Sequence, residues 1–360
     1  MNANTKNLYN HGVSIWLDNI TRKILDNGVL AHYIEELSVT GLTSNPSIFE
    51  SAIARTGDYD GTIAKINSPD ITDEEMFFTL AVEDIRRAAD LFSPVYKRTN
   101  GLDGFVSIEV SPLHAYDTVN TARTAKEIFR KVNRPNVYIK IPGTPEGLQA
   151  VTETIAEGIP VNVTLLFSAE QYNAAAMAYL KGIEARAEKG LSTDINSVAS
   201  VFVSRWDKAI ADKVPQEFHN RLGIAVMQKT YHSYLQFIHS ERVQRLMNLG
   251  IFPQRLLWAS TGTKDPAASD ILYVKNLVAP YTINTIPENT LLAFADHGEV
   301  GQPLTGDKKN ADLIILKLKE YSIDYYLLAG QLQHEGAKAF TDSWKNLIRS
   351  IAEKRKSVKL

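Results

Sequence analysis

The sequence predicts an α/β protein, a (β/α)8 TIM barrel with additional helices, including a C-terminal helical extension. Three observations lead there. Eight short apolar runs with β-branched or aromatic residues recur along the chain, and helix-period segments alternate with them. Strand-then-helix order implies a parallel sheet, and about eight such units close a barrel. An open doubly wound sheet would call for a phosphate-binding glycine fingerprint after the first strand, and none is present. The chain of 360 residues reads as a single catalytic domain, 1–360, with the barrel at about 12–290 and the helical extension at about 291–360.

The first strand is Ser14 to Asp18. A short helix breaks at Asn27-Gly28, and Ala31 to Leu37 forms another. Strand two, Ser38 to Thr43, runs into Ser44-Asn45-Pro46; Asn45, preceding proline, is extended or in a turn, and Pro46 suits the first turn of a helix. Residues 57–71 read as a polar connection. Thr72-Asp73-Glu74-Glu75 is a capping box opening a helix with Phe77, Leu80, Ala81, Ala88 and Leu91 on its apolar face. Strand three is Phe105 to Val110. Asp117 caps a helix whose stripe is Val119, Ala122, Phe129 and Val132. Val137 to Pro142 is strand four; Thr144-Pro145 begins the next helix and Gly158 ends it.

Pro160 to Leu166 is strand five. Ser168 and Gln171 form another capping box, with Tyr172, Ala176, Tyr179 and Ile183 as the stripe behind them. Val198 to Val203 is strand six, and a long helical region carries Ile224, Met227, Tyr231, Leu235 and Ile238 on one side. Arg255 to Ser260 and Tyr281 to Ile286 are strands seven and eight. Helix-period segments fill Pro287 to Leu360, and the basic run Lys354 to Lys359 reads as a solvated end.

Composition narrows the function. The net charge of -2 gives no global field for nucleic acid or a membrane surface, so any phosphate site must be a local basic cluster. Cysteine is absent, which excludes a thiol nucleophile, a zinc-thiolate site and a disulfide framework. The polar start, Met1 to Asn10, lacks the apolar core of a signal peptide, and no apolar run is long enough to span a bilayer. The expectation is a cytoplasmic protein.

Chemistry enters through charged residues in apolar strands. Lys140 lies within Val137-Tyr138-Ile139-Lys140-Ile141-Pro142, which reads as a buried strand. Alternation puts Lys140 on the face of Tyr138 and leaves Ile139 and Ile141 to meet the helices. An inward lysine is rare without compensation, and burial disfavours its ammonium form. A free amine can attack a carbonyl and form a Schiff base. An isolated lysine of this kind is more often a snorkelling or ion-paired residue, so the neighbours decide. Asp18 closes strand one behind Trp16, and Glu109 lies between Ile108 and Val110. Asn162 and Thr164 alternate with Val161, Val163 and Leu165. Ser200 and Phe202 alternate with Val201 and Val203, and Ser260 is in phase with Trp258.

These polar groups gather toward the C-terminal ends of the strands, the catalytic face of such barrels. One amine and two carboxylates suit imine chemistry. A ketimine on Lys140 is an electron sink for carbon–carbon cleavage, Asp18 can take the hydroxyl proton, Glu109 can shuttle protons directly or through a water that Thr164 orients, and Asn45 and Asn162 suit sugar hydroxyls. Arg205, past strand six, can make a bidentate phosphate contact, or else a surface ion pair; Ser260 and Lys264 follow strand seven, and Lys264 alone reads as a plain surface lysine.

Thr43-Ser44-Asn45-Pro46-Ser47, Ile108-Glu109-Val110, Tyr138-Ile139-Lys140-Ile141-Pro142 and Asn162-Val163-Thr164-Leu165-Leu166-Phe167 occur in the order seen in transaldolases. The chain resembles that family from about Ser14 to about Ile286, in its larger-chain branch. The resemblance implies transfer of a dihydroxyacetone unit between sugar phosphates in the non-oxidative pentose phosphate pathway: sedoheptulose 7-phosphate and glyceraldehyde 3-phosphate give erythrose 4-phosphate and fructose 6-phosphate. It implies no metal and no organic cofactor, and small sugar phosphates as partners. It makes Lys140 the Schiff-base lysine, Asp18 the acid–base carboxylate, and Glu109 and Thr164 the holders of a catalytic water. Asn45 and Asn162 would bind the donor sugar, Ser200 and Phe202 line the site, and Arg205 and Ser260 reach the phosphate.

The chain departs from the family pattern twice. Many relatives have an arginine two residues past the serine of strand seven, where this chain has Gly262; Lys264 is the candidate replacement. Val203-Ser204-Arg205 lacks the glycine that many relatives place before the arginine. A simple Schiff-base aldolase, of the fructose 6-phosphate or deoxyribose-phosphate type, is the nearest rival; Glu109 separates the chain from the former, whose members resemble transaldolases but use a tyrosine. A non-catalytic scaffold barrel fits poorly, because unused buried charges would only cost stability.

Overall fold

The computed structural model describes residues 1–358. Eight strands pair in parallel, each with its neighbours in chain order, and close into a barrel. They are β1 (Val13–Asp18), β2 (Val39–Thr43), β3 (Val106–Glu109), β4 (Val137–Pro142), β5 (Val161–Leu166), β6 (Ser197–Phe202), β7 (Arg255–Ala259) and β8 (Thr282–Ile286). Each expected strand is present to within a residue or so at its ends. The apolar runs are buried on both faces, by the helices outside and by the barrel filling inside, which is why they read as continuous rather than alternating.

Register sets the inner surface. Asp18 pairs with Thr43, Thr43 with Ser107, and Ser107 with Tyr138. One step nearer the strand ends, Glu109 pairs with Lys140 and Lys140 with Asn162. Aligned residues of parallel neighbours point the same way, so these side chains line the interior. The N-terminal half of that interior is packed solid. Trp16 donates its indole N–H to Asp103 at 2.7 Å, and Tyr138 stacks on Phe105 with ring centroids 4.2 Å apart. Gly41 is required beside Trp16, because a Cβ there would lie 2.5 Å from the indole. Arg255 crosses this end, donating to the Leu102 carbonyl, the Ser14 hydroxyl and the Thr282 carbonyl. With its lower half filled, the barrel interior opens at the C-terminal end, the catalytic face of such barrels.

Five readings of individual residues need correction. Residues 57–71 contain a helix, Asp60–Ile66, whose Ile63 is buried; its short polar sequence carries no clear helical stripe. Apart from these corrections, the polar segment Ala3–Asn10 forms a helix capped by Asn2. Leu91 and Val119 are exposed rather than on buried stripes; the 26-residue helix Asp73–Arg98 and the helix Thr118–Val132 turn those positions away from the barrel. Trp258 faces out, since it aligns with Val201 and donates to the Leu277 carbonyl at 3.1 Å. Ser260 still reaches the inside because it adopts a left-handed conformation, φ 56°, which breaks the alternation.

The basic run is the fifth. It belongs to a 33-residue C-terminal helix, Tyr325–Ser357, which lies across the C-terminal ends of the strands. Tyr325 stacks on Trp206, nearly parallel at a centroid distance of 5.4 Å. Gln333 donates its amide N–H groups to the carbonyls of Gly143 and Leu165, just past β4 and within β5. Trp344 meets Phe77 edge-on at 5.1 Å. At the far end Lys354 pairs with Asp60 at 2.8 Å and caps the Thr56 carbonyl, while Arg355 reaches Asp73, Asn67 and the Ser68 carbonyl. Lys354 and Arg355 therefore staple the helix to the segment after β2 instead of ending in solvent; Lys359 lies outside the described residues. Among the described residues no helix is long and apolar enough to cross a membrane.

Candidate active site

The site grows from the end of β4. Lys140 is 5% exposed, and its side chain rises from the packed half of the barrel. Its Nζ donates to the Ser44 carbonyl at 3.2 Å and lies 3.3 Å from a Glu109 carboxylate oxygen. Glu109 is equally buried, and neither of its oxygens has a hydrogen bond of good geometry within the protein. The Glu109–Lys140 contact is thus an ion pair rather than a directed hydrogen bond. Burial raises the Glu109 carboxyl above its ordinary range; Lys140 opposes this, and the nearby Asp18 charge adds to it. A carboxylate of raised basicity beside an amine is a competent proton acceptor.

Asp18 stands at the end of β1. Burial is again the largest influence and raises its carboxyl, against Lys140, the Thr43 hydrogen bond, Lys264 and Asn45. The Thr43 hydroxyl donates to Asp18 at 2.9 Å and lies 2.6 Å from the Thr285 hydroxyl. The carboxylate is held in orientation by β2, which is itself braced by β8.

These groups open on a cavity of about 150 Å³ at the C-terminal end of the barrel, walled by residues that include Lys140, Asp18, Asn45, Thr164, Ser200, Phe202, Arg205, Ser260, Lys264 and Phe340. Nine of the eleven expected site residues therefore lie on one cavity. Glu109 and Asn162 are not on its wall. Asn162 is fully buried, accepts from the Ser200 hydroxyl at 2.7 Å and donates to Ser107 at 3.1 Å. That chain of bonds supports Ser200 from beneath. Asn45 caps the helix Pro46–Arg55, its Oδ1 accepting from the Ile48 N–H and the Ser47 hydroxyl, which turns its amide nitrogen toward the cavity side near Asp18. The Thr164 hydroxyl is buried with no partner in the protein.

The basic rim lies opposite. Arg205 lies in the first turn of the helix Ser204–Ile210; it rests against the Phe202 ring at 5.4 Å, with Glu335 of the C-terminal helix the nearby acid. Burial lowers its guanidinium, and Glu335 counters that. The Ser260 hydroxyl lies 2.9 Å from that of Ser204. A Cβ on Gly262 would come within 3.7 Å of the Lys264 Nζ. The nearest atom to such a Cβ is Pro287 Cγ at 3.1 Å, so the lysine amine stands beside position 262.

A model of the Transaldolase/Fructose-6-phosphate aldolase family matches residues 15–351. The chain belongs to this family. Curated relatives match it nearly end to end. A protein named Transaldolase from Arthrobacter sp. (strain FB24) is 44% identical, the alignment covering 98% of this chain and 97% of that one. One named Transaldolase 2 from Streptomyces coelicolor is 42% identical, covering 96% and 95%, and one named Transaldolase from Trichodesmium erythraeum is 42% identical, covering 97% of both. The family match runs through the C-terminal helix, so within this transaldolase family chain that helix is part of the matched unit. The sequence motifs end at about Ile286 and do not reveal what the helix brings. Phe340 lies over the amine, with Lys140 Nζ 5.6 Å from its ring centroid. No local signal in the sequence distinguishes Phe340 from any other core aromatic of a helix. Thr43 and Thr285 were also missed, although both continue the inward alternation of their strands.

The helix that carries Arg205 also carries Asp207, which is buried and accepts from Tyr273 at 2.8 Å and from the Gly223 N–H at 3.2 Å. Burial pushes the Asp207 carboxyl up to about 6. A carboxyl raised in the folded state binds its proton more tightly there than in the unfolded chain. Its contribution to stability is therefore complete below the unfolded value of 3.8 and is lost as the pH rises through about 6. Asp207→Asn is expected to be more stable than the parent by up to roughly 3 kcal/mol above that range, with the difference vanishing in acid. Urea unfolding of both proteins across the range checks this; a difference independent of pH would refute it.

Proposed function

We propose that this protein transfers a dihydroxyacetone unit between sugar phosphates through a Schiff base on Lys140. The observation that carries the reading is the Lys140 amine, buried between the Glu109 carboxylate and the Ser44 carbonyl at the floor of the cavity. In this reading the amine attacks the ketone of the donor, and the resulting carbinolamine loses water. Glu109 supplies the proton that the departing hydroxyl takes, directly or through a water held by its own oxygens and the Thr164 hydroxyl, which are among the buried polar atoms with no partner in the protein. The Asp18 carboxylate removes the proton of the adjacent sugar hydroxyl as the carbon–carbon bond breaks, and returns it to the acceptor aldehyde oxygen when the new bond forms. The electron pair of the broken bond rests in the enamine on Lys140.

Asn45 and Ser200 meet the sugar from the cavity wall, and Asn162 acts from beneath by holding Ser200. Arg205 and Ser260 take the phosphate at the rim, and Lys264 serves as the second cation in the place of an arginine at 262. The substrates are small sugar phosphates, and the reaction as drawn calls on no metal or organic cofactor. The family name covers both transfer and simple release, and the relatives named above favour transfer.

Acceptor dependence tests the assignment. Fructose 6-phosphate is expected to turn over rapidly only when erythrose 4-phosphate is present, with sedoheptulose 7-phosphate as the product. Equal consumption without an acceptor, with free dihydroxyacetone accumulating, would instead indicate an aldolase.

A further inference from the structure

The transfer reading contains a competition that the C-terminal helix is placed to decide. Once the donor is cleaved, a three-carbon enamine remains on Lys140. It has two fates. Its nucleophilic carbon can bond to the acceptor aldehyde carbon, whose oxygen then takes a proton. Alternatively that carbon can take a proton from solvent; water then adds to the imine carbon, the carbon–nitrogen bond breaks, and dihydroxyacetone leaves as the amine is restored. Both fates need water at the amine eventually, but only the second needs a solvent proton at carbon before an acceptor arrives.

We infer that Phe340 of the C-terminal helix sets the balance between these fates, as a specificity-determining wall that keeps solvent from the enamine. Four observations carry this. Phe340 lies over the amine, 5.6 Å from Nζ, and forms part of the cavity wall, while Glu109, 3.3 Å from the same nitrogen, is not part of that wall. The amine is thus served by the Glu109–Thr164 side and roofed by an aromatic ring on the other. Phe340 packs toward Phe202 at 6.4 Å, and Phe202 toward Phe167 at 5.3 Å, so the apolar wall is continuous from the helix to β6 and the end of β5. The helix is fixed on both sides of this residue: Gln333 binds the Gly143 and Leu165 carbonyls, and Trp344 packs against Phe77 and Phe78. Finally, Phe340 packs against the core yet keeps part of its ring exposed, as a residue at the mouth of a cavity does. An apolar ring held above a reactive carbon excludes the water that would otherwise protonate it.

The inference rests on the transfer reading, and its test separates the two. Phe340→Ala and Phe340→Leu are assayed with fructose 6-phosphate, measuring dihydroxyacetone released without acceptor and sedoheptulose 7-phosphate formed with erythrose 4-phosphate. Removal of the ring in Phe340→Ala is expected to raise the ratio of release to transfer by about tenfold, with Phe340→Leu in between, because bulk water gains access to the carbon. A ring that merely supports the fold would lower both rates together and leave the ratio unchanged, and that result would overturn the inference. Borohydride trapping of the parent protein is run alongside: failure to label Lys140 would remove the transfer reading and this inference with it, whereas labelling with an unchanged ratio removes only the inference.

Discussion

Replacing Lys140 with methionine is expected to reduce turnover by at least about 10⁴-fold, since no other amine of the cavity can take its place as the nucleophile. Among the described residues Lys264 is the only other lysine on the cavity wall, and it belongs to the basic rim. Methionine approximates the length of the lysine stem and suits the apolar surroundings of β4, so the variant should retain its fold and its affinity for sugar phosphate. Borohydride reduction in the presence of fructose 6-phosphate should add the mass of the reduced adduct to the peptide containing Lys140 in the parent and to no peptide in the variant. A label on any other lysine would remove the mechanism. The prediction is severe because it depends on a covalent bond rather than on a share of binding energy.

Changing Glu109 to glutamine should produce the second-largest loss, roughly 10²–10⁴-fold in the rate of imine formation. Glutamine keeps the shape of the side chain but can neither receive the amine's proton nor protonate a departing hydroxyl. Because Glu109 is not among the residues that line the cavity, sugar binding should hardly change. The expected signature is therefore a fall in kcat with little change in the dissociation constant of a non-reacting sugar phosphate, together with slow single-turnover trapping by borohydride. Unchanged trapping kinetics would refute the relay. A parallel loss of binding would mean that the carboxylate acts by shaping the cavity instead. The raised basicity that burial gives Glu109 is what suits it to this work.

Much of this site is legible before any coordinates. Asp18, Glu109 and Lys140 interrupt apolar runs, and period-two alternation assigns them to the inside of the barrel; the register of β1 to β5 bears that assignment out. The same rule failed at β7. There Trp258 points to the helices, and Ser260 reaches the cavity only through its left-handed backbone. Alternation assumes extended residues throughout, so a single positive φ defeats it. Capping spacings fared similarly. Thr72 and Glu75 form the reciprocal box, whereas Gln171 reaches past Ser168 to the Phe167 N–H; the spacing identifies the start of the helix but not which donor the side chain satisfies.

What the sequence alone determined is whatever depends on near neighbours: eight buried strands, the helices between them, and the inward faces of the charged residues. Those follow from the periods of strand and helix and from the cost of leaving apolar surface in water. What only the tertiary structure decided is the relation between parts far apart in the chain. Gln333 meets carbonyls of residues 143 and 165, Lys354 pairs with Asp60, and Phe340 lies over Lys140. Read alone, a basic helical end and a helical phenylalanine resemble any solvated terminus and any core aromatic. Their roles arise from where the barrel closes and how its last helix lies across it, and the pairing of distant surfaces leaves no periodic trace in the local order of residues.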